Sequence, residues 1–371
     1  MQYKTIKNTD LTNGIISKNI LFFALPLMIG NLIQQFYNIA DTLIVGKYIG
    51  ENALAAVGSA YTLMILLTSI ISGLCMGSSV FFSIQFGRKA HNTMKQSFFI
   101  SFVSIAVITA LLNLLAYICL NRIINFMNIP TEIRQMFRQY LFVIFSGIFA
   151  SFLYNFFSSL LRSVGNSIMP LMFLTFSAII NVVLDLVFIL CFNCGVVGAA
   201  VATVIAQYIS AIGIMLYYFL KCSNIRISKI HIKWNYEIFR ELAILSAMTC
   251  IQQSIMNLGI LMVQGLVNSF GTSIMAAFAA GVKIDTVAYS PLQDFGNAFS
   301  TFIAQNYGAG KKKRIRQGLK TAGTMVIVFC IFISSIIYLF SDKLMTLFVD
   351  KENIAIISIG TQYLHIESVF Y

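Results

Sequence analysis

Apolar residues run almost unbroken through ten segments, at about 20–45, 53–82, 97–120, 137–161, 169–192, 198–220, 242–267, 274–303, 321–341 and 354–371. A helix crosses the hydrocarbon of a bilayer in about 20 residues. Each of the first nine runs is long enough for that, and the tenth is still apolar at Tyr371. Lipid offers no partner to a backbone N–H or C=O, so a spanning segment must be a helix or part of a closed barrel. Barrel strands are about half this length and alternate in polarity. The chain therefore predicts an all-α polytopic membrane protein. Composition agrees: only 10% of its 371 residues are charged and 58% are hydrophobic, against roughly a quarter charged in a soluble domain.

The net charge of +12 would raise the question of nucleic acid in a soluble protein. Here the charges sort by loop. With the N-terminus in the cytoplasm, Lys4, Lys7, Lys18, Arg88, Lys89, Lys95, Arg162, the linker residues Lys221 to Arg240 and the cluster Lys311 to Lys320 fall on one side. Lys47, Arg122, Arg134, Arg138, Lys343 and Lys351 fall on the other, a split of eighteen to six, and Lys283 lies inside a span. That is the positive-inside pattern. It places the N-terminus in the cytoplasm and assigns these charges to topology, with no nucleic-acid partner. Residues 1–19 are polar and show no cleavable leader, so the first span is expected to serve as its own insertion signal. Cys191 and Cys194 form the sole CxxC, with no second pair to complete a zinc site.

The sequence repeats itself. "QQFYNIADTLIVG" aligns with "QQSIMNLGILMVQ" at an offset of 218, "IGENALAAVG" with "FGTSIMAAFA" at 221, Gly87 with Gly308 at 221, and Tyr140 with Tyr363 at 223. Six spans precede Leu220. Six is even, so both copies start on the same side and are parallel repeats. The expected organisation is an N-lobe over 1–220, a cytoplasmic linker over 221–241 and a C-lobe over 242–371. The C-lobe carries about four of its six spans. Extending the offset puts the end of the sixth about 70 residues past Tyr371.

Polar residues inside the spans are few and ordered. Positions i, i+3, i+4 and i+7 share a helix face. Gln34, Tyr37, Asn38 and Asp41 occupy that series in the first span. Ser177, Asn181 and Asp185 recur every fourth residue in the fifth, and Thr203 and Gln207 in the sixth. An Asp at the helix centre costs on the order of 2.5–3.5 kcal/mol by insertion scales. Two such acids, in six spans expected to hold no basic residue to neutralise them, are not packing material. Their pairing would suit a proton or a hard monovalent cation, since the stripe supplies carboxylate, amide and hydroxyl oxygens. Pro26, early in the first span, removes a backbone hydrogen bond and bends the helix. Its spacing fits a moving bend and a static kink equally.

In the second copy Asp41 maps onto Gly259. Polar candidates there are Gln252, Gln253, Asn257, Gln264, Lys283, Asp285 and Asp294, and for the last three a structural ion pair is at least as well supported as transport. His365 shows no partner in the sequence.

These stretches together resemble the multidrug and toxic compound extrusion (MATE) family of cation-coupled efflux transporters. The resemblance rests on Pro26, "YNIADTLIVGKYIGENALAAVG", "QFGRKA", "LLRSVGNSIMP", "NVVLDLVFI", "GVVGAAVATVIAQ" and "STFIAQNYGAGKKKR". It implies two six-helix lobes around a central cavity, alternating access, and export of a small lipophilic cation against inward H+ or Na+, with no cofactor. It places Tyr37, Asp41, Asn181, Asp185 and Thr203 in a cation site, with Asp41, Asp185, Asn181 and Thr203 as metal ligands if the ion is Na+, and Pro26 at the bend. "TCIQQSIMNLG" lacks the acid of another branch, which favours an N-lobe site. The protein is expected to be a multi-pass monomer of the plasma membrane and not an enzyme. Two rivals remain. A lipid-linked precursor flippase would want cavity cations, of which Lys283 alone is evident, and an intramembrane aspartyl protease would want a GxGD that is absent.

Overall fold

The computed structural model describes residues 10–127, 129–268, 270, 272–347 and 352–370. Lys4, Lys7 and Lys351 lie outside them, as does the side chain of Gln264. Every regular element among the described residues is helical. In chain order they are α1 (Ile16–Tyr48), α2 (Glu51–Gly87), α3 (His91–Phe126), α4 (Thr131–Ile144), α5 (Ile148–Ser163), α6 (Ile168–Leu186), α7 (Gly195–Lys221), α8 (Tyr236–Asn268), α9 (Thr272–Gly308), α10 (Lys312–Met345) and α11 (Ile354–Glu367). A 3-10 turn at Phe145–Gly147 joins α4 to α5, and a π turn at Val187–Cys191 extends α6 just past Asp185.

Among the described residues, eight helices are long and apolar enough to cross a membrane, α4 and α5 counting as one. The run at 274–303 is not among them; its helix, α9, carries Lys283, Asp285 and Asp294. The helices also outrun the apolar segments. α3 takes in Lys95 and Arg122, α4 takes in Arg134 and Arg138, and Arg162 belongs to the last turn of α5. The expectation that the first six spans hold no basic side chain fails: Arg138 already lies inside the run 137–161, and for the others helical hydrogen bonding continues past the point where hydropathy falls.

Helices α8 to α11 each begin 220 to 223 residues after α1 to α4. α2 and α9 meet reciprocally. A Cβ on Gly87 would strike the Gln305 carbonyl of α9, and a Cβ on Gly308 would strike the Ile84 carbonyl of α2. Ile84 and Gln305 are themselves one repeat offset apart, so the contact is two-fold in character. α2 also lays Gly73 and Gly77 against the backbone of α8 at Cys250 and Ser246. Small residues four apart let two helix backbones approach closely in a membrane.

The main core lies among α2 to α7. Phe152, Phe156 and Phe157 of α5 interleave with Phe82, Phe98, Phe102 and Tyr218, Phe98 lying 5.1 Å from Phe156 and 5.2 Å from Tyr218 between ring centres. α1 straddles two packing environments. Its first turns (Ile20, Phe23, Ala24, Leu27) pack with Phe295, Ala298 and Phe302 of α9 and Ala322 of α10. Further along, Gly30 rests against Leu171 and Leu174 of α6 (3.5 and 3.6 Å from a built Cβ), and Val45 joins the main core. Pro26 sits where one environment gives way to the other.

One end of the bundle collects the segments expected on one side of the membrane. Arg314 donates to the carbonyls of Leu11, Asn13 and Gly14 (2.7–3.3 Å), and Lys311 to that of Thr12 (2.8 Å). Gln305 donates to Ser163 O (2.7 Å) and accepts from Leu11 N (3.3 Å). The linker is tied in by Gln96 to Lys233 O (3.1 Å) and by His231 to Asn92 (3.3 Å). Burial works against the charge of Asp10, yet hydrogen bonds from Thr12 and Asn13 and the nearby Lys311 together hold its carboxyl below the usual range. His365, partnerless in the sequence, stacks on Tyr338 (4.4 Å) and meets Ser341 Oγ at 2.9 Å. All the described cysteines, Cys191 and Cys194 included, are unpaired.

Candidate functional site

The stripes of α1, α6 and α7 converge. α6 and α7 lie antiparallel, and Ser177 Oγ donates to Ala206 O across them (2.7 Å). One turn on, Asn181 faces Thr203. With its amide oriented to satisfy both neighbours, Asn181 donates from Nδ2 to Asp185 Oδ2 (2.9 Å) and accepts at Oδ1 from Thr203 N–H and Oγ1 (3.2 Å each). Asp41 enters from α1. Its carboxyl group meets that of Asp185, and Tyr37, one turn earlier, comes beside Thr203. Asp41, Asp185, Asn181 and Thr203 are 8, 0, 1 and 7% exposed. Five side chains from three helices thus form one pocket, and Tyr140 of α4 adds a further buried ring facing both acids.

A hydrogen bond between two carboxyl groups requires a proton on one of them. Asp41 Oδ1 and Asp185 Oδ1 are nonetheless buried without a protein partner. With Asn181 Oδ1 and Thr203 Oγ1 at hand, the pocket offers an all-oxygen donor set to a proton or a small hard cation. Clusters of three or more His, Cys, Asp or Glu suited to a transition metal are absent among the described residues.

The remaining polar candidates disperse. Asn38 lies 3.4 Å from the Tyr61 hydroxyl. Gln207 lies against the bend at Gly147. Gln252 is exposed on α8, and Gln253 reaches Met76 Sδ of α2 at 3.6 Å. Lys283 and Asp285 are both engaged with neighbours, Asp285 on the side of Tyr363 and Glu367 in α11. Asp294 faces Asn31 of α1, with Asn297 of its own helix beside it.

Asp294 opens onto a chamber of about 150 Å³ lined also by Pro26, Asn31, Gln34, Asn155 and Arg162. This is the feature that the sequence reading missed. The charge count assigns Arg162 to a loop, and no spacing argument in the sequence singles out Asn31 or Asn155. The signal was present for α1, because Asn31 and Gln34 continue the face of Asp41 toward the N-terminus.

A bundle of membrane-spanning helices with paired carboxylates in a closed internal pocket is the architecture of a membrane carrier. The MatE family model matches residues 26–187 and 245–371, and the chain belongs to that family. It is a multi-pass membrane protein of the MATE family of multidrug efflux transporters, and not an enzyme. The probable multidrug resistance protein YpnP of Bacillus subtilis is 27% identical over 368 residues, covering 99% of this chain and 81% of that one. An FAD transporter of Shewanella oneidensis is 24% identical, covering 91% and 75%. Among solved structures, the outward-facing conformation of a multidrug resistance MATE family transporter superposes with a TM-score of 0.92 at 21% identity, covering 99% of this chain and 82% of that one.

Proposed function

We propose that this chain is a secondary antiporter that exports lipophilic organic cations in exchange for inward H+ or Na+, by alternating access of two lobes (1–220 and 242–371, joined by the linker 221–241). The observation that carries the reading is the meeting of the Asp41 and Asp185 carboxyl groups between α1 and α6, closed in by Asn181, Thr203 and Tyr37. An arriving cation neutralises the pair and removes the electrostatic need for water around it. α1 is then free to repack at Pro26, where its two packing environments meet. One charge moved inward through 100 mV releases about 2.3 kcal/mol, the same amount that moving one monovalent cation outward costs, so a one-for-one exchange is driven by the concentration gradient of the coupling ion. The setting is the plasma membrane, with a cytoplasmic N-terminus and a monomeric carrier.

Transport in proteoliposomes tests this. Asp41→Asn and Asp185→Asn are each expected to reduce ion-driven movement of tetraphenylphosphonium by tenfold or more. Undiminished transport in both variants, or wild-type transport without any ion gradient, would overturn the antiport reading.

A second reading, an anionic cargo, is favoured by one observation: Arg162, a guanidinium in the chamber beside α1. The lipid-linked precursor flippase belongs to this class. Counterflow of an anionic dye in place of tetraphenylphosphonium would select it.

A further inference from the structure

The chamber beside Pro26 has a composition that packing does not explain. It lies between α1, α5 and α6 on one side and α9 on the other. Two opposite charges face it, Arg162 from α5 and Asp294 from α9. They attract one another, yet no direct ion pair joins them. Arg162 Nε and Asp294 Oδ2 are both buried without a protein partner. Leaving such atoms unpaired is costly, and more so for charged groups. A chamber of about 150 Å³ has room for roughly five waters at liquid density, which would meet that need.

Its position matters as much as its lining. Gln34 belongs to both the chamber and the polar face of α1 that leads through Tyr37 to Asp41. One helix face therefore connects the carboxylate pair to the chamber. The chamber lies toward the end of the bundle where Ser163, Gln305 and Leu11 are knotted together. The titratable groups facing it are Asp294 from α9 with Arg162 and Tyr154 from α5, and the Tyr154 hydroxyl is committed to Pro170 O (3.0 Å). α1 and α6 contribute amide, hydroxyl and apolar groups.

We infer that this chamber is the cytoplasm-side release site for the coupling cation, with Asp294 as its transient acceptor and Arg162 as the fixed charge that shortens its stay. The inference rests on the antiport reading. A cation leaving Asp41 meets a second carboxylate two to three turns down the same face of α1. The opposing guanidinium prevents that carboxylate from becoming a trap. No covalent step is involved; the cation passes between oxygen sites. Asp294 and Arg162 act as positioning residues for the ion's exit.

A release site has a signature that a packing role lacks. Ions on the exit side inhibit transport by occupying it, so the inhibition should respond to its charges with opposite signs. Vesicles exposing the cytoplasmic face would be driven by a fixed luminal ion load while the ion outside is varied. Na+ at constant pH forms one arm and protons without Na+ the other. Asp294→Asn is expected to raise the half-inhibitory concentration by about threefold or more, and Arg162→Gln to lower it by a similar factor, the change expected for removing one charge at several ångströms in a hydrated site. Asp294→Glu should restore the wild-type value. Wild-type inhibition in both variants, or shifts of one sign, would overturn the proposal. Should Asp294→Asn fail to reach the membrane, the sign of the Arg162→Gln shift decides alone. Loss of coupling in Asp41→Asn is read separately: if Asp41→Asn still couples, the antiport reading fails whatever the chamber variants do.

Discussion

Asn181 is the residue on which the carboxylate pocket turns. Its amide gives one bond to Asp185 and receives two from Thr203, so it fixes the carboxylate of α6 against α7. Asn181→Leu fills similar space with no donor or acceptor. The substitution leaves Asp185 and Thr203 both wanting, at about 1–3 kcal/mol per orphaned group. Half-maximal transport should then require at least tenfold more coupling ion. Thr203→Val removes a single hydroxyl and should shift the same measurement less, by about three- to fivefold; equal effects would mean that the amide does not bridge. These residues were legible in the sequence because spacing by four survives translation into a helix face. Asp294 and Arg162 were not, since their meeting depends on how α9 docks on α5, which no local spacing encodes. The same holds for His365, whose partners Tyr338 and Ser341 come from the preceding helix.

At the scale of elements, α2 is the helix that other helices read. Gly73 and Gly77 admit α8, and Gly87 admits α9. At Gly77 the obstructing atoms are the backbone of Leu245 and Ser246, which cannot rotate aside. Gly77→Ala must therefore push α8 away. Cys250 of α8, half-buried with its backbone against Gly73, reports that opening: its alkylation rate by N-ethylmaleimide, followed by mass spectrometry, should rise severalfold. Gly58→Ala on α2 meets nothing within 4 Å and should leave the rate unchanged. The small-residue spacing at 73 and 77 stands in the sequence as plainly as the aspartate stripes. Its partner helix does not, and neither do the true helix lengths, because hydropathy marks where lipid ends rather than where hydrogen bonding ends. The repeat offsets did carry over, to the helix starts and to the reciprocal contact of Gly87 and Gly308.

Over the whole molecule, the N-terminal segment, the α2–α3 turn, the linker and the α9–α10 turn gather at one end, the basic side of the charge count. In a cysteine-free background, Lys89→Cys and Lys229→Cys should react with a membrane-impermeant maleimide only after cells are permeabilised. Lys47→Cys, at the far end of α1, should react in intact cells. The reverse pattern would invert the assigned orientation. The same gathering bears on how the molecule is made. Leu11 is grasped by Arg314, 303 residues later in the chain. Ribosomes add residues at about 5–20 per second, so the segment at Leu11 waits on the order of half a minute for its clasp to be synthesised. Until then the opening turns of α1 have neither α9 nor α10 to lie against, and the earliest helix to enter the bilayer is among the last to find its final neighbours.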